Sequence, residues 1–169
     1  MSITKKTALA FLLLSGAILR ANAAETPVPA ALAAPGETVV LSVHAEGAQV
    51  YDCKAGADGK AMWSFREPIA TLFVDGKTTG RHYAGPNWDH IDGSGVSAKT
   101  SASAPGTTAN DIPWLKLDVT AHRGTGILSN VSTVQRINTQ GGNLEGPCEA
   151  AGSYRSVPYS ADYVFLRKG

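Results

Sequence analysis

The sequence predicts an all-β fold, either an antiparallel β-sandwich or a partly closed β-barrel, held by one disulfide bond. Short segments rich in β-branched and aromatic residues recur along the chain between glycine-containing turns, which is typical of such folds. No segment keeps helical periodicity over three turns. Charged residues make up only 17% of the chain and 18 residues are glycine. This composition favours a turn-rich β protein over a helical bundle.

The strand segments follow one another between short turns. They are residues 38–44, 48–53, 62–66, 72–74, 80–83, 88–91, 114–121, 131–137 and 161–166. The clearest is 114–121, in which apolar residues from Leu115 to Ala121 alternate with polar ones, as in a half-buried strand. The Asp75-Gly76 dipeptide predicts a hairpin turn. The Ser/Ala/Thr-rich stretch that runs to Thr108 predicts a long loop.

The first residues have the three parts of a secretory signal peptide. A positive n-region with Lys5 and Lys6 is followed by an apolar h-region over residues 7–19. Ala21-Asn22-Ala23 then supplies the small-x-small pattern that signal peptidase recognises. The apolar run is shorter than the about 20 residues that a membrane-spanning helix needs. We therefore predict a cleaved signal peptide over residues 1–23, with an uncleaved membrane anchor as the alternative.

The remaining chain divides into two parts. Residues 24–36 are rich in proline and alanine and predict an extended lead-in, and residues 37–169 predict a single β domain. Cleavage would remove three of the 15 basic residues, so that 12 basic residues face 14 acidic ones. This near-neutral balance, without runs of lysine and arginine, argues against a nucleic-acid partner. No transmembrane segment is expected after cleavage.

The two cysteines of the chain, Cys53 and Cys148, predict a single disulfide bond. Two thiols without a third pair by default in an oxidising compartment. A redox pair or a pair of metal ligands is the alternative, but the Cys-x-x-Cys spacing that would support either is missing. The signal peptide and the disulfide together predict a secreted or periplasmic protein.

The densest group of polar and aromatic side chains lies in residues 80–94. If residues 84–87 form a hairpin turn, Tyr83 faces Trp88 and His82 faces Asp89 across the two strands. The carboxylate would then raise the pKa of the imidazole. We therefore predict ligand-binding residues in this segment, namely His82, Tyr83, Trp88, Asp89 and Asp92.

Other interpretations of this segment remain open. The His82 and Asp89 pair could orient a general base, or it could bind a metal together with His90 or Asp92. The structural alternative is a cross-strand hydrogen bond beside a packed aromatic pair. Ser94 completes the composition of a hydrolytic triad, but the chain has no Gly-x-Ser-x-Gly elbow around it. We therefore assign no catalytic residue and no cofactor.

Two further positions are predicted to contact a ligand. Arg136 lies among amide side chains before a Gly-Gly pair, which suits recognition of a carboxylate or a sugar. The alternative is that it binds a carboxylate or loop carbonyls of its own protein. Asp162 follows Tyr159 and could line a pocket with it, whereas the alternative for Tyr159 is to anchor the sheet by its hydroxyl.

Several motifs follow one another along the chain. They are GAQVYDC (47–53), HYAGPNW (82–88), DGS (92–94), IPWL (112–115), QRINTQGG (135–142) and VPYSADY (157–163). This ordered set resembles a domain family of unknown function found in secreted bacterial and fungal proteins. The resemblance implies export and a β fold, and its motifs concentrate on His82, Trp88, Asp92, Arg136 and Asp162. Some fungal relatives carry dehydrogenase labels, but the chain lacks the βαβ pattern that dinucleotide binding needs.

We expect an exported domain that binds a small ligand or a glycan without catalysing a reaction. Trp63, Trp88 and Trp114 are candidates for stacking on sugar rings, and the alternative is that all of them belong to the core. A second hypothesis is a hydrolase or lyase, metal-assisted or dependent on His82, Asp89 and Asp92. A third is a structural or interaction module without a small-molecule site.

Overall fold

The computed structural model describes residues 27–169, and the predicted signal peptide (1–23) lies outside the described residues. The described chain folds into one closed antiparallel barrel of eight strands in chain order. The strands are β1 (Glu37–Ala55), β2 (Ala61–Val74), β3 (Lys77–Tyr83), β4 (Asn87–His90), β5 (Gly95–Ala104), β6 (Trp114–Arg123), β7 (Thr133–Gly141) and β8 (Tyr154–Lys168). β8 pairs with β1 and closes the barrel. The all-β prediction is confirmed.

The predicted disulfide bond is also confirmed. It joins Cys53, near the end of β1, to Cys148 in the connection between β7 and β8. Within residues 27–169, no helix is long and apolar enough to cross a membrane.

The antiparallel order gives the barrel two different ends. The connections after β1, β3, β5 and β7 lie at one end, which we call the upper end, and those after β2, β4 and β6 lie at the lower end. The two long connections of the upper end are residues 105–113 and 142–153. The interior between the ends is packed by inward-facing side chains, of which Trp88, Tyr163 and Phe165 are the largest fully buried ones.

The lower end is closed by the connection between β6 and β7. Its residues Leu128 and Val131 are buried in the core. Asp92 holds this connection, because its carboxylate accepts hydrogen bonds from the backbone N–H of Ile127 (2.7 Å) and the hydroxyl of Ser94 (2.6 Å). These hydrogen bonds keep the pKa of Asp92 far below its usual range, and the bond from the Ser94 hydroxyl has the largest effect.

The chain before β1 packs against the outside of the barrel. A short 3₁₀ helix (Ala30–Leu32) buries Leu32 completely. The backbone carbonyl of Leu32 accepts a hydrogen bond from Gln135 of β7 at 2.7 Å, and that of Ala33 accepts one from Lys116 of β6 at 3.2 Å. Gln135 and Lys116 each lie between inward-facing residues of their strands and therefore point outwards. The chain segment that they contact thus lies on the outer face of the barrel.

Several strand predictions change in the structure. β1 and β2 each join two predicted segments into one strand, and they approach so closely that a Cβ on Gly47 would lie 2.0 Å from the carbonyl oxygen of Ile69. The predicted long loop before Thr108 is wrong, because most of that stretch forms β5. Its Val96 and Ala98 face the core, where the interior of a narrow barrel accepts small side chains.

The predicted register of the β3–β4 hairpin is wrong by one residue. His82 pairs with Trp88, Tyr83 with Asn87, and Arg81 with Asp89. The turn contains three residues, 84–86, instead of four. Because a shift of one residue exchanges the two faces of a strand, His82 and Trp88 both point into the barrel, and the predicted pair of His82 and Asp89 does not form.

Candidate functional site

The barrel holds a cavity of about 360 Å³ that opens at the upper end. Its mouth lies between the β3–β4 turn (Pro86), the 105–113 connection (Pro113) and the 142–153 connection (Asn143). The deeper wall is formed by inward-facing residues of the strands. The lining residues are Gln49, Tyr51, Phe65, Arg66, Pro68, His82, Gly85, Pro86, Trp88, Thr100, Ile112, Pro113, Leu115, Leu117, Arg136, Asn143 and Tyr163.

An aromatic cluster forms the floor of the cavity. The rings of His82 and Trp88 stack with centroids 4.4 Å apart and planes at 8°. Tyr163 meets the Trp88 ring edge-on at 5.4 Å, and Phe165 does so at 6.2 Å. Edge-on and stacked contacts of this kind are favourable beyond the apolar area that they bury, so they stabilise the floor.

His82 is a neutral imidazole. Burial lowers its pKa to about 3, and the charge of Arg136 adds to this effect. The Nδ1 atom lies 2.8 Å from the backbone carbonyl of Asn87. Since a carbonyl can only accept a hydrogen bond, Nδ1 carries the proton and Nε2 keeps a free lone pair. The expectation that Asp89 raises the pKa of His82 is therefore wrong.

Arg136 brings a positive charge to the cavity wall. It lies on β7, opposite Leu115 of β6 and Tyr163 of β8. Its Nε and Nη2 atoms donate hydrogen bonds to the carbonyl of Pro113 at 3.1 and 2.9 Å. The alternative of contact with a loop carbonyl thus holds for part of the guanidinium. No carboxylate of the described residues forms an ion pair with it.

Two neutral hydrogen-bond donors of the cavity wall have no partner among the described residues. They are Nε2 of Gln49 and Nε1 of Trp88, and both side chains are more than nine-tenths buried. A buried donor without an acceptor costs about 1 to 3 kcal/mol. Sequence analysis missed Gln49, although it lies inside the 47–53 motif, because only its inward position on β1 distinguishes it from an exposed amide.

The charge of the cavity wall is positive. None of the described lining residues is Asp or Glu. The second lining arginine, Arg66, is compensated, since its Nε lies 3.0 Å from a carboxylate oxygen of Glu67 and its guanidinium lies over the ring of Tyr154. Arg136 therefore supplies the one uncompensated charge of the described wall.

The rim of the cavity is cross-linked. The hydroxyl of Tyr51 donates to the carbonyl of Gly142 at 2.7 Å, next to the lining residue Asn143. The side-chain amide of Asn143 donates to the carbonyl of Ala109 at 2.8 Å, which joins the two long connections. The Cys53–Cys148 bond ties the same 142–153 connection to β1. The mouth is thus held open by covalent and hydrogen bonds.

The structure brings three of the predicted ligand-binding residues together. His82, Trp88 and Arg136 all line the cavity. Tyr83 and Asp89 lie on the outer face of the β3–β4 hairpin. There Asp89 accepts hydrogen bonds from Arg81 (2.9 Å), Arg123 (2.8 Å) and Tyr83 (3.2 Å). Burial acts to raise the pKa of Asp89, but these bonds outweigh it and lower the pKa.

The remaining predicted residues lie elsewhere. Asp92 belongs to the lower end, where Nδ1 of His90 is 3.1 Å from its carboxylate. Asp162 lies on the outer face of β8 and contacts Nδ1 of His44 and the amide of Asn138, each at 2.8 Å. In the part of the chain that the structure describes, no group of three or more His, Cys, Asp or Glu residues could hold a metal ion. The metal candidates therefore do not converge.

The three tryptophans do not form a platform for sugar rings. Trp88 is completely buried on the floor, and Trp114 is 3% exposed. Trp63 is partly buried and pairs with Cys53 beside the disulfide.

Comparison with known proteins gives one match. A protein family described as "Protein of unknown function (DUF3455)" matches residues 34–167. No curated protein and no solved structure matches the chain.

Proposed function

Since the chain belongs to the DUF3455 family of proteins of unknown function, its role must be inferred from its own cavity, and we propose that it is an exported protein that binds a small organic molecule there. The observation that carries this proposal is the cavity itself, which is open at one end of the barrel and closed at the other.

The size and wall of the cavity support binding of a small molecule. Its volume of about 360 Å³ falls within the roughly 300 to 1,000 Å³ range of ligand pockets. Apolar side chains such as Phe65, Ile112 and Leu117 form much of the wall, and a few polar groups lie between them. Ligand sites combine these two features, because apolar contact supplies affinity and polar contact fixes orientation.

The same wall favours binding over catalysis. General acid–base catalysis needs a group with a pKa near the working pH. Among the described lining residues, the pKa of His82 is lowered to about 3, and burial raises that of the Tyr163 hydroxyl above its ordinary value near 10. The binding hypothesis therefore explains the wall better than the hydrolase or lyase hypothesis does.

Export is supported by two features of the chain. The first 23 residues have the pattern of a cleaved signal peptide. The Cys53–Cys148 bond is of the kind that persists in an oxidising compartment such as the periplasm or the external medium. Recovery of the mature protein from the medium or the periplasm, beginning near residue 24, would test this part of the proposal.

Ligand capture can be tested with the mature protein from its native compartment. Native mass spectrometry should detect a retained small molecule, and a library of small organic compounds should yield members that raise Tm. The variant Thr100→Trp should weaken binding at least tenfold, because it places a large side chain in the cavity wall.

The control is Ser101→Trp. Ser101 is the next residue of β5, and its hydroxyl contacts Asp118 outside the barrel at 3.0 Å. This variant should bind like the wild type. If nothing is retained and no library member raises Tm, or if both tryptophan variants behave alike, the proposal is wrong.

A further inference from the structure

We infer that the ligand of the cavity is a small monocarboxylate with an apolar body, held by its carboxylate against Arg136. This inference rests on the proposed binding function and specifies its ligand class.

The charge of the cavity wall favours an anionic ligand. A partly buried cation without a counter-charge is unfavourable, because the low-dielectric surroundings replace water poorly. Arg136 has no carboxylate partner among the described residues, whereas Glu67 compensates Arg66. A ligand with one negative charge balances the wall, and a phosphate dianion would exceed it.

The hydrogen bonds of Arg136 to the Pro113 carbonyl use only one edge of its guanidinium group. The Pro113 carbonyl takes the Nε side of the group together with Nη2. The Nη1 atom and the second hydrogen of Nη2 then form a parallel pair of donors. Such a pair of donors matches the two oxygens of a carboxylate. The contact to Pro113 fixes the plane of the guanidinium group before the ligand binds.

Two neutral hydrogen-bond donors of the wall also lack an acceptor within the described part of the chain. The Nε2 atom of Gln49 and the Nε1 atom of Trp88 are donors without a partner among residues 27–169. Both residues line the cavity and are more than nine-tenths buried. A carboxylate offers about four acceptor positions, so it can accept two hydrogen bonds from Arg136 and still accept others. A sugar, with many hydroxyl donors, would find no carboxylate acceptor in the described wall.

The rest of the ligand must be apolar and compact. Beside Arg136 and its cross-strand neighbour Leu115, the wall includes the apolar residues Phe65, Pro68, Ile112 and Leu117. These side chains can bury a ring or a short alkyl chain but satisfy no polar group. The volume of about 360 Å³ limits the body to a small molecule.

Two pairs of probes of nearly equal shape test the assignment: benzoate with benzamide, and hexanoate with hexanamide. Calorimetry on the mature wild-type protein should show that at least one acid binds about tenfold to a hundredfold more tightly than its amide, as expected for charge-assisted hydrogen bonds. In Arg136→Gln this preference should disappear. In Arg155→Gln, which removes an exposed arginine of β8 outside the described cavity lining, it should persist.

The wild-type comparison alone decides the question if Arg136→Gln fails to fold. Equal affinity for acid and amide, or no binding of either acid, overturns the carboxylate assignment. Retention of a neutral molecule by the same preparation would also overturn the carboxylate assignment, but it would support the proposed binding function. A preference for acids that survives in folded Arg136→Gln would show that Arg136 is not the group that binds the carboxylate.

Discussion

Replacing both cysteines by serine should destabilise the protein by about 4 to 5 kcal/mol. Cys53 and Cys148 are 95 residues apart, and closing a loop of this length removes about that much unfolded-state entropy in the chain-entropy model. The folded state should change little, because backbone hydrogen bonds hold the same segments together. Examples are Cys53 N–H to Ser153 and Cys148 N–H to Ala61, each at 2.9 Å.

The predicted loss is large enough to measure by two methods. For a domain of this size, 1 kcal/mol corresponds to a shift in Tm of about 2 to 4 °C, so the double variant Cys53→Ser/Cys148→Ser should melt roughly 8 to 20 °C lower. Urea unfolding followed by tryptophan fluorescence should give the free energy directly. Its m value should increase, because a chain without the cross-link unfolds to a more open state.

Reduction of the wild-type protein provides the matched control. A reductant should lower the wild-type stability to that of the double variant and leave the variant unchanged. If the variant stays within about 1 kcal/mol of the oxidised wild type, the chain-entropy reasoning fails. A variant that is folded but no longer binds the ligands of the wild type would instead show that the disulfide orders the rim.

Two other perturbations test the barrel interior. The pKa of His82 is lowered in the folded state to about 3, below its unfolded value of about 6.5, so its contribution to stability is complete above pH 6.5 and is lost as the pH falls toward 3. From pH 7 to pH 4.5 the free energy of unfolding should fall by roughly 2 to 3 kcal/mol from this group, and urea unfolding of His82→Phe should lack this loss. If the pH dependence of His82→Phe equals that of the wild type, the imidazole is not buried in its neutral form. Gly47→Ala should destabilise the protein by more than about 3 kcal/mol or prevent folding, because its Cβ would meet backbone atoms of β2. The control Gly59→Ala, whose Cβ meets nothing within 4 Å at a φ of +78°, should cost only about 1 to 2 kcal/mol. Equal losses in the two variants would refute the steric argument.

The fold class and the disulfide could be predicted because each depends on a local or countable property. Alternation from Leu115 onwards identified β6, and a chain with two cysteines allows only one pairing. The β5 strand was missed because Ser, Ala and Thr carry little signal in a sequence. A strand of a narrow barrel can be built from them, since Ala98 fills the interior and Ser101 binds Asp118 outside.

The candidate site was only partly predictable because it depends on register. In residues 80–94 the composition showed that polar and aromatic groups are close together, but a shift of one residue decides which of them face inwards. In the observed register, His82 and Trp88 lie on the cavity floor, and Asp89 lies on the outer face with Arg81 and Arg123. Gln49 could not be recognised at all, because its importance follows from its inward position on β1, where it lines the cavity.

The motifs that carry the family resemblance separate into two groups in the barrel. Five of them, 47–53, 82–88, 112–115, 135–142 and 157–163, each supply residues to the cavity wall, whereas 92–94 holds the lower end closed.

A purely structural role would explain the aromatic floor and the lower end. It does not explain Gln49 and Arg136, because apolar side chains of similar volume would pack the same wall without an unpartnered donor or an uncompensated charge. Both side chains are unfavourable for folding alone, and an acidic ligand would compensate the charge of Arg136. The balance of polar groups in the wall therefore supports binding over a packing role.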